Sequence, residues 1–261
     1  MQNYLQDFVD TLNRLSLVNR LSWHDIRGLY RRSIIGPFWL TISMGIIIAC
    51  IGIIFGTIFG KPMGDYLPFL AVGLIIWAFL TDTIKESCMA FISAEALIKQ
   101  LPLPLFLHVV RVIWRYVIVL SHNLLILPIV YFVMGVELKV TVLIAIPALF
   151  LVALFLSWLG LLVAMLCARY RDLPQIIGSF LLAGFYITPV IWMPELLVDR
   201  LGSNVLDFNI FYHLLEIIRA PLLGYIPNIS SWVIVGTSTL FGWIFTVVMF
   251  LRLRRFIPYW L

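Results

Sequence analysis

Residues 140–168 read VTVLIAIPALFLVALFLSWLGLLVAMLCA and contain no Asp, Glu, Lys or Arg. A helix rises about 1.5 Å per residue, so about 20 apolar residues cross a bilayer core about 30 Å thick. The stretch therefore reads as a membrane span, and the pattern recurs on either side of it. Further apolar runs lie at about 34–60, 66–90, 109–134, 174–193 and 230–251. Composition agrees, with 62% hydrophobic and 12% charged residues and a mean hydropathy of +1.05. Soluble domains carry roughly 25% charged residues. The expected fold is an all-α integral membrane protein of six transmembrane helices. Residues 1–33 form a cytoplasmic amphipathic interface segment and 34–261 the six-span domain, with an outer segment at 194–229. The spans leave no length for an appended ATPase, glycosyltransferase or receptor module.

Basic residues set the orientation. With both termini cytoplasmic, that side holds Arg14, Arg20, Arg27, Arg31, Arg32, Lys85, Lys99, Arg111, Arg115, Arg169, Arg171, Arg252, Arg254 and Arg255. The opposite side holds only Lys61, Lys139, Arg200 and Arg219. The net charge of +5 thus reads as topology and contact with anionic lipid, and not as nucleic-acid binding.

Along the chain, Leu5, Phe8, Val9, Leu12 and Leu15 have helical spacing and predict an amphipathic helix in the membrane surface. Ser22 and Asp25 have capping-box spacing and predict the start of a second helix. Gly52, Gly56 and Gly60 give the first span a face almost without side chains, and Gly160, Ala164 and Ala168 repeat the device in the fourth. Asp82, Lys85 and Glu86 end the second span; the bracketing of one Lys by two acids fits a helix that has reached interfacial water. Leu101-Pro102-Leu103-Pro104 is a stiff approach to the third span. The fourth and fifth spans are joined by the charged knuckle Arg169-Tyr170-Arg171-Asp172. The fifth breaks at Thr188-Pro189, and the amphipathic stretch after it predicts short helices dipping into the outer interface.

Catalytic constellations are missing from the sequence. Gly60-Lys61 is followed by Pro62 and lacks the earlier glycine of a phosphate-binding loop. His24, His108, His122 and His213 are dispersed, and Cys50, Cys88 and Cys167 have no metal-ligand spacing and read as small buried apolar residues. Aromatics make up 15% of the chain. Their faces suit amphipathic ligands such as sugar rings. Phe55, Phe59, Trp77, Phe185, Tyr186 and Trp192 are the candidate walls of a channel of the kind that the resemblance given below implies, with Trp39 at its inner mouth.

Three stretches carry a resemblance. Tyr30-Arg31-Arg32-Ser33-Ile34-Ile35-Gly36-Pro37-Phe38-Trp39, Arg169-Tyr170-Arg171-Asp172, and Phe208-Asn209-Ile210-Phe211-Tyr212-His213 running on through Arg219-Ala220-Pro221-Leu222-Leu223-Gly224 resemble, in order, segments of polysaccharide ABC exporter permeases. The nearest type is the membrane subunit of the O-antigen exporter (Wzm type). One departure is Ile210, where that family commonly has proline. The resemblance implies a six-span permease of the bacterial inner membrane that pairs with a second copy of itself and two cytoplasmic ATP-binding subunits. Its cargo would be a polysaccharide linked to undecaprenyl diphosphate, a lipid. ATP and Mg would bind in the partner, so this chain is expected to have no cofactor and no enzymatic site. Arg27, Arg31, Arg32, Lys99, Arg169, Arg171 and Asp172 are the expected contacts with the ATPase. Phe208, Phe211, Tyr212, His213, Glu216 and Arg219 are the expected outer gate. Teichoic-acid and capsular-polysaccharide exporters share the fold. An ion-coupled transporter using Asp82, Lys85 and Glu86 is the rival of another class.

Overall fold

The computed structural model describes residues 6–29, 36, 38–194 and 204–261. Among these residues there is no strand. The helices are α1 (Gln6–Asn13), α2 (Leu15–Leu29), α3 (Phe38–Phe59), α4 (Met63–Met89), α5 (Glu95–Gln100), α6 (Leu105–Asn123), α7 (Ile126–Met134), α8 (Ala145–Arg169), α9 (Leu173–Ile187), α10 (Asn204–Asp207), α11 (Ile210–Leu222), α12 (Ile229–Leu253) and α13 (Ile257–Trp260).

Among the described residues, five segments are long and apolar enough to cross a membrane: α3, α4, α6 with α7, α8 with the 3₁₀ turn before it, and α12 with α13. The run at 174–193 forms a helix of only 15 residues. It stops because Pro189 forces the preceding Thr188 into an extended conformation, at φ −84° and ψ 137°. A second proline divides the third segment. Pro128 has no N–H to donate to the carbonyl four residues earlier, and the helix interrupts at Leu124 and Leu125 before resuming as α7.

α4 is the axle of the fold. Of its most apolar window 83% is buried, against 17% for α3, and α8, α6, α3, α7 and α11 all pack on it. Leu70, Ala71, Ile75, Ile76 and Leu80 are wholly enclosed. Lipid is as apolar as leucine, so helix association in a membrane depends on close packing. Glycines supply the closeness. The face of Gly52 and Gly56 is filled by Leu67 and Met63 of the next helix, so its partner lies within the same chain. Gly73 lies under the Val190 carbonyl, with only 3.0 Å left for a Cβ. Gly242 is tighter, since a Cβ there would stand 2.3 Å from the Trp158 ring. Trp158 is itself held against Phe155, centroid to centroid 5.0 Å. Gly242→Leu is expected to wedge α12 off α8 at a cost of at least about 1–3 kcal/mol. A thermal unfolding midpoint equal to wild type would show that the two helices do not meet there.

Two sequence expectations need correction. Ser22 does not begin a helix; it lies in the middle of α2, and the chain breaks instead at Arg14. Buried away from water, the Ser22 hydroxyl donates to the Arg111 carbonyl at 2.9 Å, while Asp25 is drawn to Arg111 and Arg115. Cys88 and Cys167 are buried beside each other, but Cys50 is on the exposed face of α3.

Candidate functional site

The end of the bundle that carries α1, α2, α5 and α13 is the basic end. Here α6 begins after Pro104 with no capping side chain of its own. The cap comes from α1. The Asp7 carboxylate accepts from the backbone N–H of Leu105 at 3.1 Å and of Phe106 at 3.0 Å, satisfying two donors that a helix start leaves open. Burial pushes the Asp7 carboxyl above its ordinary value, with the two N–H bonds pulling the other way. Next to it Phe8 packs on Phe106, Phe250 and Trp243, with centroids 5.0, 5.4 and 6.0 Å away. Further along, Asp25 of α2 takes both Nε and an outer nitrogen of Arg111. Arg115 reaches Asp25 at 3.8 Å and Glu86 of α4 at 2.5 Å. Trp114 donates to Asn19 at 2.8 Å. The N-terminal helices are thus fastened along α6.

A second group gathers where α8 turns into α9. Arg169 lies over the rings of Tyr170 and Trp260, 5.3 Å from each centroid. Arg171 donates to the Trp260 carbonyl at 3.3 Å. α5 packs beside α13, and its Lys99 pairs with Glu95 at 2.7 Å, which holds the Glu95 carboxyl below its ordinary value. Asp172 starts α9 without a side-chain cap. Of the expected ATPase contacts, Lys99, Arg169, Arg171 and Asp172 therefore share one face with the C-terminal helix. Arg27 is apart on α2, stacked over Trp23 at 5.6 Å. Arg31 and Arg32 lie outside the described residues.

At the far end, α11 is a short helix tied down along its length. Asn209 caps it, accepting from Phe211 and Tyr212, and its amide donates to Thr188 at 3.0 Å. Ile210 takes the first helical position, so the missing proline changes nothing in the turn. His213 is buried 3.0 Å from the Asp207 carbonyl and 2.9 Å from the Ser231 hydroxyl. A carbonyl only accepts, so Nε2 donates to Asp207, while Nδ1 and the Ser231 hydroxyl bond each other. Arg219, 2% exposed, bonds Glu216 at 2.6 Å and the Pro189 carbonyl at 2.7 Å, and lies 4.3 Å over the Phe69 ring. Tyr131 donates to the Leu222 carbonyl at 2.9 Å and Thr141 to that of Pro221 at 3.1 Å. Tyr212 is half-buried beside His213, and burial pushes its phenol above the ordinary value. Phe208 alone of the expected gate residues stands out, 92% exposed.

Residues 16–223 match the model of the ABC-2 type transporter family. The chain belongs to that family. The match runs from the start of α2 to the end of α11, so it takes in the α8–α9 turn and the far end, and leaves out α1, α12 and α13. No curated protein matches the sequence significantly. The protein is accordingly an ABC-2 permease, the membrane component of an ABC transporter, and in this family the ATPase is a separate subunit.

The candidate channel aromatics of this ABC-2 permease divide in three. Phe55 and Phe59 cluster with Tyr66 between α3 and α4, centroids 5.6 and 5.9 Å apart. Trp77 is buried, wedged between Phe185 at 5.7 Å and Phe211 at 5.5 Å. Trp39 and Tyr186 are exposed, and Trp192 donates to the Tyr186 carbonyl at 3.1 Å. Sequence reasoning missed Asp7, Asp25 and Asn209 as fastening residues. Acids in an otherwise basic leader, and a third span with no cap of its own, were the available signals.

Proposed function

We propose that this permease exports an O-antigen-like polysaccharide linked to undecaprenyl diphosphate across the bacterial inner membrane. The basic end faces the cytoplasm, with both termini there, and α1 and α2 lie along the membrane surface. α9 is the fifth of six crossings. Its 15 residues cover about 22 Å at 1.5 Å per residue, short of the about 30 Å of hydrocarbon. Residues 188–194 complete the crossing where α4 and α11 bury their backbone, which is the condition for irregular chain at membrane depth. Two copies enclose the polymer path, and two ATP-binding subunits drive it. The exposed aromatics Trp39 and Tyr186, with the neighbouring Phe185 and Trp192, line that path.

The observation that carries this reading is α11. The third resembling stretch folds, over Ile210–Leu222, as a short amphipathic helix packed at the far end beside the break in α9, a place that suits an outer gate. A glycan needs a wet path, because its hydroxyls must stay hydrated or paired and each unpaired polar group costs roughly 2–7 kcal/mol, and α11 lies where such a path would leave the membrane. Teichoic-acid and capsular polymers present the same problem to the same fold.

The coupling face supplies the test. Arg169, Arg171 and Asp172 sit in a turn too short to be a domain, joined to α5 and α13. Replacing all three with alanine is expected to lower surface polysaccharide several-fold while the permease still inserts. Normal export together with normal co-purification of the ATP-binding subunit would sink the coupling role. A deletion strain with an unchanged surface polymer would sink the polysaccharide reading.

A further inference from the structure

The second half of α3 meets α4 closely at Gly52 and Gly56, but the first half does not. There a cavity of about 270 Å³ lies between α2, α3, α4 and α6. At about 30 Å³ per water it equals roughly nine waters, room for a small head group and the first part of a chain. Leu40, Met44, Ile75, Phe79 and Leu120 give it apolar walls, with Asp82, Arg115 and Asn123 set among them.

Two of these polar side chains have no partner among the described residues. Asn123 is 6% exposed, and its Oδ1 is enclosed without a hydrogen bond. Buried polar groups are nearly always paired, so an unpaired amide in the wall of a cavity points to a bound molecule. The half-buried Asp82 carboxylate has neither a hydrogen bond nor an ion pair. The neighbouring charges are mostly committed. Arg115 holds Glu86 at 2.5 Å and reaches Asp25 at 3.8 Å, and Asp25 also takes Arg111. Lys85 is the exception. It is exposed, attracts Asp82 from three positions on in α4, and forms no ion pair with it.

The site therefore offers one open anion in the cavity wall and one open cation about a helical turn nearer the basic end. A zwitterion is the complement of that arrangement. A primary ammonium donates to Asp82 while the phosphate beside it accepts from Lys85. A purely anionic head meets repulsion from Asp82, and a choline head brings it no N–H. Asn123 lies eight residues beyond Arg115 on α6, about 12 Å further from the basic end. At that depth its amide N–H groups can donate to an ester carbonyl, and a hydrocarbon chain runs on over the apolar walls.

We infer that this cavity holds one membrane lipid with a phosphoethanolamine head, drawn from the leaflet at the basic end. The inference rests on the membrane setting of the family and not on the cargo. By filling the gap, the lipid joins α3 to α4, α6 and Ile26 of α2. α3 has most need of such a link, since only 17% of its most apolar window is buried by protein.

The experiment adds phosphatidylethanolamine, phosphatidylcholine and phosphatidylglycerol of matched chains, in equal amounts, to the purified permease–ATPase complex. Native mass spectrometry then counts the lipid that stays bound. Wild type is expected to retain phosphatidylethanolamine at least about 5-fold over either other lipid, as for one charge-assisted hydrogen bond. Asp82→Asn is expected to weaken that retention about 10-fold and Asn123→Leu about 3-fold, as for a charged and a neutral hydrogen bond. Lys85→Met removes the partner of the phosphate at an exposed position, so it empties no core, and is expected to weaken retention as well. Asp65→Asn, at an exposed carboxylate near the other end of α4 and outside the cavity wall, is expected to behave as wild type. Equal retention of the three lipids, a preference for phosphatidylglycerol, or selectivity unchanged in both Asp82→Asn and Lys85→Met overturns the site. The readout does not involve the polymer, so either result leaves the export reading where it stands.

Discussion

Arg219→Met is expected to destabilise the permease by about 3–5 kcal/mol, as when one partner of a buried pair is removed and the other is left. The substitution keeps most of the volume but strands the Glu216 carboxylate and the Pro189 carbonyl in a setting that water does not reach freely. It also removes the cation from the face of Phe69. With that link cut, the Asn209–Thr188 bond is the hydrogen bond that still ties the start of α11 to residues 188–190 among the described residues. The thermal unfolding midpoint of the purified complex should fall by several degrees, and a protease added to the outer side should cut near residues 188–194 much faster. Arg219→Lys keeps a charge but not the planar fork, and is expected to fall between the two. A methionine variant as stable and as protease-resistant as wild type would mean that α11 is not held by this residue.

Asp25→Ala is expected to release α2 from α6. The carboxylate is the sole anion on Arg111 among the described residues, whereas Arg115 keeps Glu86. Hydrogen bonds to charged groups contribute about 1.5–3 kcal/mol each, and two converge on Asp25 from Arg111. Amide hydrogens of residues 15–29 should exchange at least ten times faster, and less ATP-binding subunit should co-purify. Arg27→Ala is the comparison. That side chain is exposed and only stacks on Trp23, so exchange over α2 should stay within about 0.5 kcal/mol of wild type. Equal exchange in the Asp25 and wild-type proteins would show that the ion pairs do not hold the helix down.

These two residues also show where the sequence was readable and where it was not. Long apolar runs have one stable outcome in a bilayer, so α3, α4, α8 and α12 could be placed within a few residues. The stop at Thr188-Pro189 was equally local, since proline acts on its neighbour. What it did to the fifth run was not: a helix of 15 residues is accommodated only because α4 and α11 cover the chain that follows. Gly52 and Gly56 announced a close approach without naming Leu67 and Met63 as what approaches. Asp25 had a plausible local use as a capping partner, and its real partners lie 86 and 90 positions later. Arg219 was recognisable as part of the outer segment, but its partner at Pro189 is 30 positions earlier. Trp77 was readable as an aromatic within a span, but its packing between Phe185 and Phe211 depends on residues more than a hundred positions away.

The cap that Asp7 places on α6 spans 98 positions of sequence, and this has a consequence for how the protein is made. Helices shorter than about 12–15 residues are marginal on their own, and α1 has 8. α1 is synthesised before α6 and α12, so the surface it fits begins to form only with the start of α6 and is complete only when α12 brings Trp243 and Phe250. Until then α1 has no tertiary partner, and the α6 start has no cap. Docking of α1 is therefore a late step of biogenesis, and a permease whose third span is misplaced leaves α1 undocked.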